Sequence, residues 1–316
     1  MRFLASFYYI SKKFQTCIEA LYQDFPLMLD SGAFSAMMMK KEINLPDFMR
    51  YCHKNKRFFE QYVMLDVIGN KARTRENLMV MLKDGLMPMP VLTTDMDESE
   101  FKDLHALNPN VCISGGRGQE PVSYSARIEK CWRLVDGKTT IHGLGYTKTM
   151  EPIKTKCSSV DSASWSFAQR AGMLYTFTLN KGMMQTMMRD LQKKPPALWP
   201  PEIRDQLMRC GVTPQELFSK EGRTGQDSMV ALISLASWIA YSKHCLNKGL
   251  RVYFAVSTPG AIWPFMIAAY NRKGNGLDWA EAKKQMPTVQ NDYKKDFDRF
   301  VSYAQTAAAR EFVRTQ

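Results

Sequence analysis

The chain is short of several features that define whole classes of protein. Its seven cysteines are an odd number, scattered mostly through apolar segments, and no Cys-x-x-Cys pair occurs. Neither a disulfide framework nor a structural zinc site is indicated, which points to a reducing compartment. The longest apolar run, residues 229–241, is too short to span a bilayer. The N-terminal segment lacks a signal-peptide cleavage pattern, so the expectation is a soluble cytoplasmic protein with no membrane partner. No internal repeat or low-complexity tract stands out. Acidic residues are outnumbered, 31 against 43 basic ones, for a net charge of +12. A balance this basic favours a polyanionic partner, nucleic acid being the commonest; a merely solvated basic surface is the alternative.

What is present suffices for a full core. A hydrophobic share of 45% excludes disorder, and 316 residues fit one large α/β domain with an insertion or two small domains. The 22 methionines, clustered at residues 37–39 and 183–188, read as flexible core filler. Short β-type runs at residues 3–9, 27–29, 62–66, 89–93, 111–114, 140–144 and 158–160 alternate with segments of helical spacing. Repeated βα units imply a parallel sheet with right-handed crossovers. An eighth candidate strand, residues 251–256, arrives late; eight βα units make a TIM-like (β/α)8 barrel. The expected organisation is therefore residues 1–165 as the first seven units carrying the site, 166–250 as a mainly helical basic insertion, and 251–316 as the last strand with C-terminal helices. Within the insertion, Thr213-Pro214-Gln215-Glu216 is a helix start with N-cap, N1 proline and capping-box glutamate. The helix after Asp227 is apolar almost all round and predicted to be buried.

Catalytic groups of such a barrel sit at the C-terminal ends of its strands. Three aspartates fall there: Asp30 after Pro-Leu-Met-Leu, Asp66 after Tyr-Val-Met-Leu, and Asp161 after Ser-Ser-Val. Each on its own reads equally well as an N-cap of the following helix. Three on one rim make capping alone a weaker account. Converging carboxylates suit glycosidic chemistry, in which one attacks or stabilises an oxocarbenium centre while another moves the proton. Glycines end two further strands, at Gly115-Gly116 and Gly143-Leu144-Gly145, where a flat ligand can approach the backbone; an ordinary tight turn is the competing explanation. His142 is either a ligand contact or a satisfied core histidine, and the other histidines, His53, His105 and His244, lie in helical segments without partners.

These motifs resemble those of the tRNA-guanine transglycosylase superfamily. Asp30-Ser31-Gly32-Ala33-Phe34 resembles the family's Asp-Ser-Gly-Gly-Phe/Tyr signature. Gly143-Leu144-Gly145, Val160-Asp161-Ser162 and Gln169-Arg170-Ala171-Gly172 resemble its Gly-Val-Gly, Phe-Asp-Cys and Ala-Arg-Asn-Gly stretches. The resemblance implies Asp161 as nucleophile and Asp30 as proton-transfer carboxylate. It further implies Phe34 stacking on the base, His142 on the base's other face, and Asp66, Ser31, Gly115, Gly116 and Gly143 around its edge. It covers roughly residues 27 to 180. Three departures stand out. The family's Cys-x-Cys-x-x-Cys zinc motif is absent, Val91-Leu92-Thr93-Thr94 lacks its glutamine, and Trp165 replaces a polar or basic residue. Since the family's first strand has no counterpart before Arg2, residues 251–256 filling that slot would make the barrel a permuted version.

A zinc-free chain with Ser159-Val160-Asp161-Ser162-Ala163-Ser164-Trp165 is similar to the DNA-acting branch, bacteriophage and bacterial enzymes that exchange guanine in DNA for a 7-deazaguanine. The implied partners are DNA and a free deazapurine base as co-substrate, without metal or redox cofactor, in the bacterial or phage-host cytoplasm. A relative acting on tRNA, a hydrolase that only removes a base, and a non-catalytic nucleic-acid-binding barrel are the alternatives.

Overall fold

The computed structural model describes residues 1–23, 25–115, 123–146, 151–167, 171–219 and 229–257. Its strands are β1 (Arg2–Ser6), β2 (Leu27–Asp30), β3 (Gln61–Tyr62), β4 (Val91–Leu92), β5 (Asn110–Ser114), β6 (Thr140–Leu144), β7 (Ser159–Ser162), β8 (Met173–Thr178), β9 (Gly182–Met187) and β10 (Arg251–Val256). All but β8 and β9 join one parallel sheet of eight strands, in the order β3-β2-β1-β10-β7-β6-β5-β4. Neighbours in the sheet follow chain order, with β10 lying between β1 and β7. The two ends of that order also meet. Val63, just past β3, bridges Met89, just before β4. Met64 N–H donates to Met89 O at 3.0 Å, and Met89 N–H to Tyr62 O at 2.8 Å. The protein is thus an α/β fold with a curled parallel sheet compatible with a TIM-like barrel.

The strands form where they do because their apolar runs are continuous rather than alternating. A parallel strand covered on both faces needs that pattern. Met28, Leu29, Val63, Val111, Ile113 and Ile141 are all fully buried. Helices fill the crossovers, and side-chain caps fix several of their starts. Asn44, Asn70, Asp97 and Ser123 each accept a backbone N–H of the first turn.

Two expectations about strands need correction. The first strand ends at Ser6, and Phe7–Tyr9 form a 3-10 turn instead of continuing it. Phe7 packs its ring against Phe48 and Tyr51, at centroid distances of 5.2 and 5.3 Å, which draws the chain off the sheet. The predicted run 62–66 keeps a ladder only to Val63, so Asp66 projects from a loop beyond β3 rather than from a strand end.

The described residues divide by contacts into one unit of Met1–Ser162 with Cys245–Ser257, which holds the parallel sheet, and a second within Ala163–His244. The second unit is not mainly helical at its start: β8 and β9 form an antiparallel hairpin. Thr178 pairs with Gly182, whose φ is +71°, and Leu179-Asn180-Lys181 between them supply the turn. Leu174 of the hairpin is buried with Trp199, Ile203, Leu207, Leu217 and Ile233 in a core of that unit's own. The predicted capping box is present, Thr213 Oγ1 accepting from Glu216 N–H while the Glu216 carboxylate accepts from Thr213 N–H. The helix Met229–Asn247 runs longer than its apolar stretch. At 19 residues it meets the length and composition of a membrane span, yet Val230, Leu232, Ile233, Trp238 and Ile239 are buried, as in a core helix. The C-terminal tail predicted to be helical lies outside the described residues.

Candidate active site

Because the eight strands run parallel, their C-terminal ends share one end of the sheet. Asp30 closes β2 there, and Asp161 lies one residue from the end of β7. Asp66 follows β3 in a loop that Thr74 pins, its hydroxyl donating to Val67 O and accepting from Val67 N–H. The turn after Asp30 is fixed by Gly32. Its φ of +84° favours glycine, and a Cβ there would lie 2.5 Å from both Ser6 Oγ and Tyr8 Cβ. That turn aims the Gly32 N–H at Asp30 Oδ2, 2.9 Å away. Gly32→Ala should therefore cost about 1–3 kcal/mol of stability and blunt any activity that uses Asp30. Thermal unfolding of the variant checks this, and an unchanged midpoint would refute the steric reading.

Asp30 senses the other two aspartates. Burial, followed by the charges of Asp66 and Asp161, raises the Asp30 pKa to about 7 against hydrogen bonds from the Gly32 and Ser31 backbone. Burial raises Asp66 to about 6, opposed by its own backbone N–H and by the Ser31 side chain. Ser31 is wholly buried, and its hydroxyl also accepts from Ala33 N–H at 3.3 Å. Phe34, at the start of the helix Ala33–Met38, is 54% exposed. Met37, Met38 and Met39 are exposed too, so this methionine cluster is surface rather than the core filler its composition suggested.

Asp161 is held from β6. Gly145 N–H donates to its Oδ1 at 2.7 Å, and His142 Nε2 lies 3.3 Å from the same oxygen. His142 is fully buried, with Nδ1 2.8 Å from Ser159 Oγ and the ring edge-on to Tyr253. That environment corrects one expectation: a residue with no exposed surface and both nitrogens engaged does not offer its face to a base. The glycines change meaning as well. A Cβ on Gly115 would come 2.7 Å from the Tyr124 ring, and Tyr124 ties β5 to β6 by donating to Ile113 O and Leu144 O. A Cβ on Gly143 would come 3.1 Å from Tyr146 Cβ and 3.3 Å from Cys157 Sγ. Close packing explains both glycines without a ligand. Gly115 is nevertheless exposed at the strand end, whereas Gly143 is buried. Gly116 and Gln169-Arg170 lie outside the described residues.

Two contributors escaped the sequence reading. Gly145, at φ +61°, is the backbone donor to Asp161, and Ser159 is the partner of His142. The first belonged to a motif already singled out, and the second lies one residue before Val160 in the matched stretch; neither carries a charge to draw notice.

Among the described residues no three His, Cys, Asp or Glu side chains group to hold a metal ion, and all seven cysteines are free and buried. Purified protein should accordingly contain far less than one equivalent of zinc, and chelator should leave the unfolding temperature unchanged. A tightly bound equivalent lost together with the fold would overturn this.

Fold and site together define an α/β protein of TIM-barrel-like type with Asp30 and Asp161 at the C-terminal end of its parallel sheet and Asp66 in the loop after β3. No protein-family model matches the chain, and no curated protein matches its sequence.

Proposed function

We propose that the protein is a base-exchange glycosyltransferase that replaces guanine in DNA with a 7-deazaguanine through a covalent aspartyl–glycosyl intermediate. One observation carries the reading: two carboxyl groups at the same sheet end have unlike surroundings. Asp30 is raised to about 7 and so is available in its acid form near neutrality. Asp161 is held by a backbone N–H and an imidazole on one oxygen, leaving the other for attack. The resemblance of the Asp30–Phe34 and Gly143–Ser162 motifs to transglycosylases supplies the substrate class.

In the proposed reaction the target nucleotide is swung out of the stack, at a cost of a few kcal/mol from a duplex. Phe34 stacks on the base, while Asp66, Ser31 and the backbone at Gly115 read its edge. A carboxylate oxygen of Asp161 bonds to C1′ as the C1′–N9 bond breaks, and guanine leaves with a proton from Asp30. The incoming 7-deazaguanine gives its N9 proton to Asp30 and attacks C1′, and the ester bond to Asp161 breaks. No cofactor is consumed. The position of β10 ahead of β1 in the sheet supports the finer reading of a permuted (β/α)8 barrel, with residues 251–256 in the slot of the family's first strand.

Incubation with guanine-labelled DNA or tRNA and candidate deazaguanines, followed by nucleoside mass spectrometry, tests the proposal. The expected result is labelled guanine released and deazaguanosine incorporated into DNA. Incorporation into tRNA alone, release without incorporation, or neither would favour, in turn, the tRNA-acting, hydrolytic and non-catalytic alternatives.

The net charge of +12 supports a nucleic-acid partner, but not every lysine is available for one. Lys181 pairs with Glu202, and Lys193 lies 3.8 Å from Asp190. Lys40 and Lys41 are exposed just after the helix that follows Asp30. DNA affinity should fall with salt by a log–log slope of about −0.7 to −0.9 per phosphate contacted, and neutralising Lys40 and Lys41 together should reduce that slope by roughly 1–2 on all sequences alike. A slope unchanged by the double variant in a salt titration would remove these lysines from the interface.

A further inference from the structure

His142 is a buried polar side chain that touches a proposed catalytic group, yet it has no exposed surface to offer a substrate. It projects from β6 and spans two residues of β7: Ser159 Oγ at 2.8 Å from Nδ1 and Asp161 Oδ1 at 3.3 Å from Nε2. Ser159 and Asp161 are two apart on one strand, so both point to the same face. The imidazole lies across that face. Among the described residues its other neighbours are Tyr253 of β10, which meets it edge-on with its hydroxyl bonded to Glu60, and Cys112 of β5, its cross-strand neighbour. A neutral core imidazole has one N–H to place and one bare nitrogen that accepts. This one is fixed at both nitrogens, and the second of them lands on the proposed nucleophile.

We infer that His142 is a positioning residue: anchored by Ser159, it donates through Nε2 to Asp161 Oδ1 and, with the Gly145 N–H, locks the carboxylate so that Oδ2 is the attacking oxygen. The inference rests on the base-exchange reading given above. Among the described residues both hydrogen bonds to this carboxylate fall on Oδ1 and none on Oδ2. The Ser159 hydroxyl donates to Nδ1 of a neutral ring or accepts from it in a cationic one; in either state Nε2 carries the proton that points at Asp161. A carboxylate pinned on one oxygen cannot rotate about its final torsion, and near-attack alignment of the kind that determines rate is what such pinning provides.

Two measurements on the full chain test this. The first is nitrogen-15 NMR of the histidine-labelled protein, with the His142 signals assigned by their loss in His142→Gln. A protonated Nε2 is expected; a bare Nε2 with the proton on Nδ1 overturns the hydrogen bond. The second is the single-turnover rate of adduct formation with guanine-containing DNA. His142→Leu should slow it about 10- to 100-fold while DNA affinity stays within about threefold. His142→Gln, which restores a donor, should recover most of the rate. Ser159→Ala, which removes only the anchoring hydroxyl and so little packing, should fall between wild type and His142→Leu. An unimpaired His142→Leu, or equal losses in the Leu and Gln variants, would overturn the positioning role. Absence of adduct with wild-type protein would instead overturn the base-exchange reading, leaving the NMR result to decide the hydrogen bond alone.

Discussion

Asp161→Asn is expected to abolish the covalent adduct and to lower base exchange by at least about 10⁴-fold, with the fold intact. The substitution is nearly isosteric. Its amide oxygen still accepts from the Gly145 N–H and from His142 Nε2, the contacts that hold the wild-type carboxylate at 2.7 and 3.3 Å. What it lacks is a nucleophilic oxygen. Since the side chain retains some exposure, at 13%, little packing is lost, and the unfolding temperature should move by no more than a surface substitution moves it. Denaturing gel electrophoresis of protein mixed with labelled DNA reports the adduct as a slower band, present for wild type and missing for Asp161→Asn. DNA binding at low salt should be unchanged, which separates loss of chemistry from loss of substrate. Exchange within about tenfold of wild type would exclude Asp161 as the nucleophile.

The parallel sheet was legible because its strands are buried on both faces. Uninterrupted runs such as Val111-Cys112-Ile113 and Leu27-Met28-Leu29 have no other use in a chain with helical segments between them. The late strand Arg251–Val256 was legible for the same reason, and its place between β1 and β7 completes the series. The hairpin Met173–Thr178 with Gly182–Met187 was missed because methionine, four of the twelve residues in its strands, reports neither helix nor strand. At the site, the aspartates stood out because a charge ending an apolar run needs a reason to be there. The role of His142 did not follow from the sequence, which read it at a strand end, whereas it lies in the middle of β6. A buried imidazole and a stacking imidazole look identical in sequence, and only the cross-strand pairing of His142 with Ser159 separates them. Gly115 and Gly143 were ambiguous for a related reason, since a glycine that clears space for Tyr124 or Tyr146 has the same letter as one that clears space for a ligand.

Asp30→Asn is expected to lower exchange by about 10²- to 10⁴-fold, the range for losing a general acid–base group, and to alter the pH dependence of both activity and stability. At about 7, the Asp30 carboxyl is near half-protonated in neutral solution. Guanine release needs its acid form and should slow as pH rises through about 7. Capture of the deazaguanine N9 proton needs its base form and should speed up over the same interval. Exchange then peaks near neutrality, and each half-reaction followed alone shows one limb of opposite sign. Stability follows from the same carboxyl. Its folded-state pKa lies above the value of about 3.9 for an unfolded chain, so the folded state binds the proton more tightly. The corresponding stabilisation is fully present below about pH 4 and is lost as pH rises through about 7. Asp66, raised to about 6 by burial, contributes in the same direction. Asn keeps the size of the side chain and cannot ionise, so the variant should gain stability over wild type as pH increases from about 5 to 8, by up to a few kcal/mol. Urea unfolding across that range measures the difference. A constant gap between the two proteins, or a gap that narrows toward alkaline pH, would mean that Asp30 is ionised at little cost in the folded state, and its role as the proton donor near neutrality would fall with it.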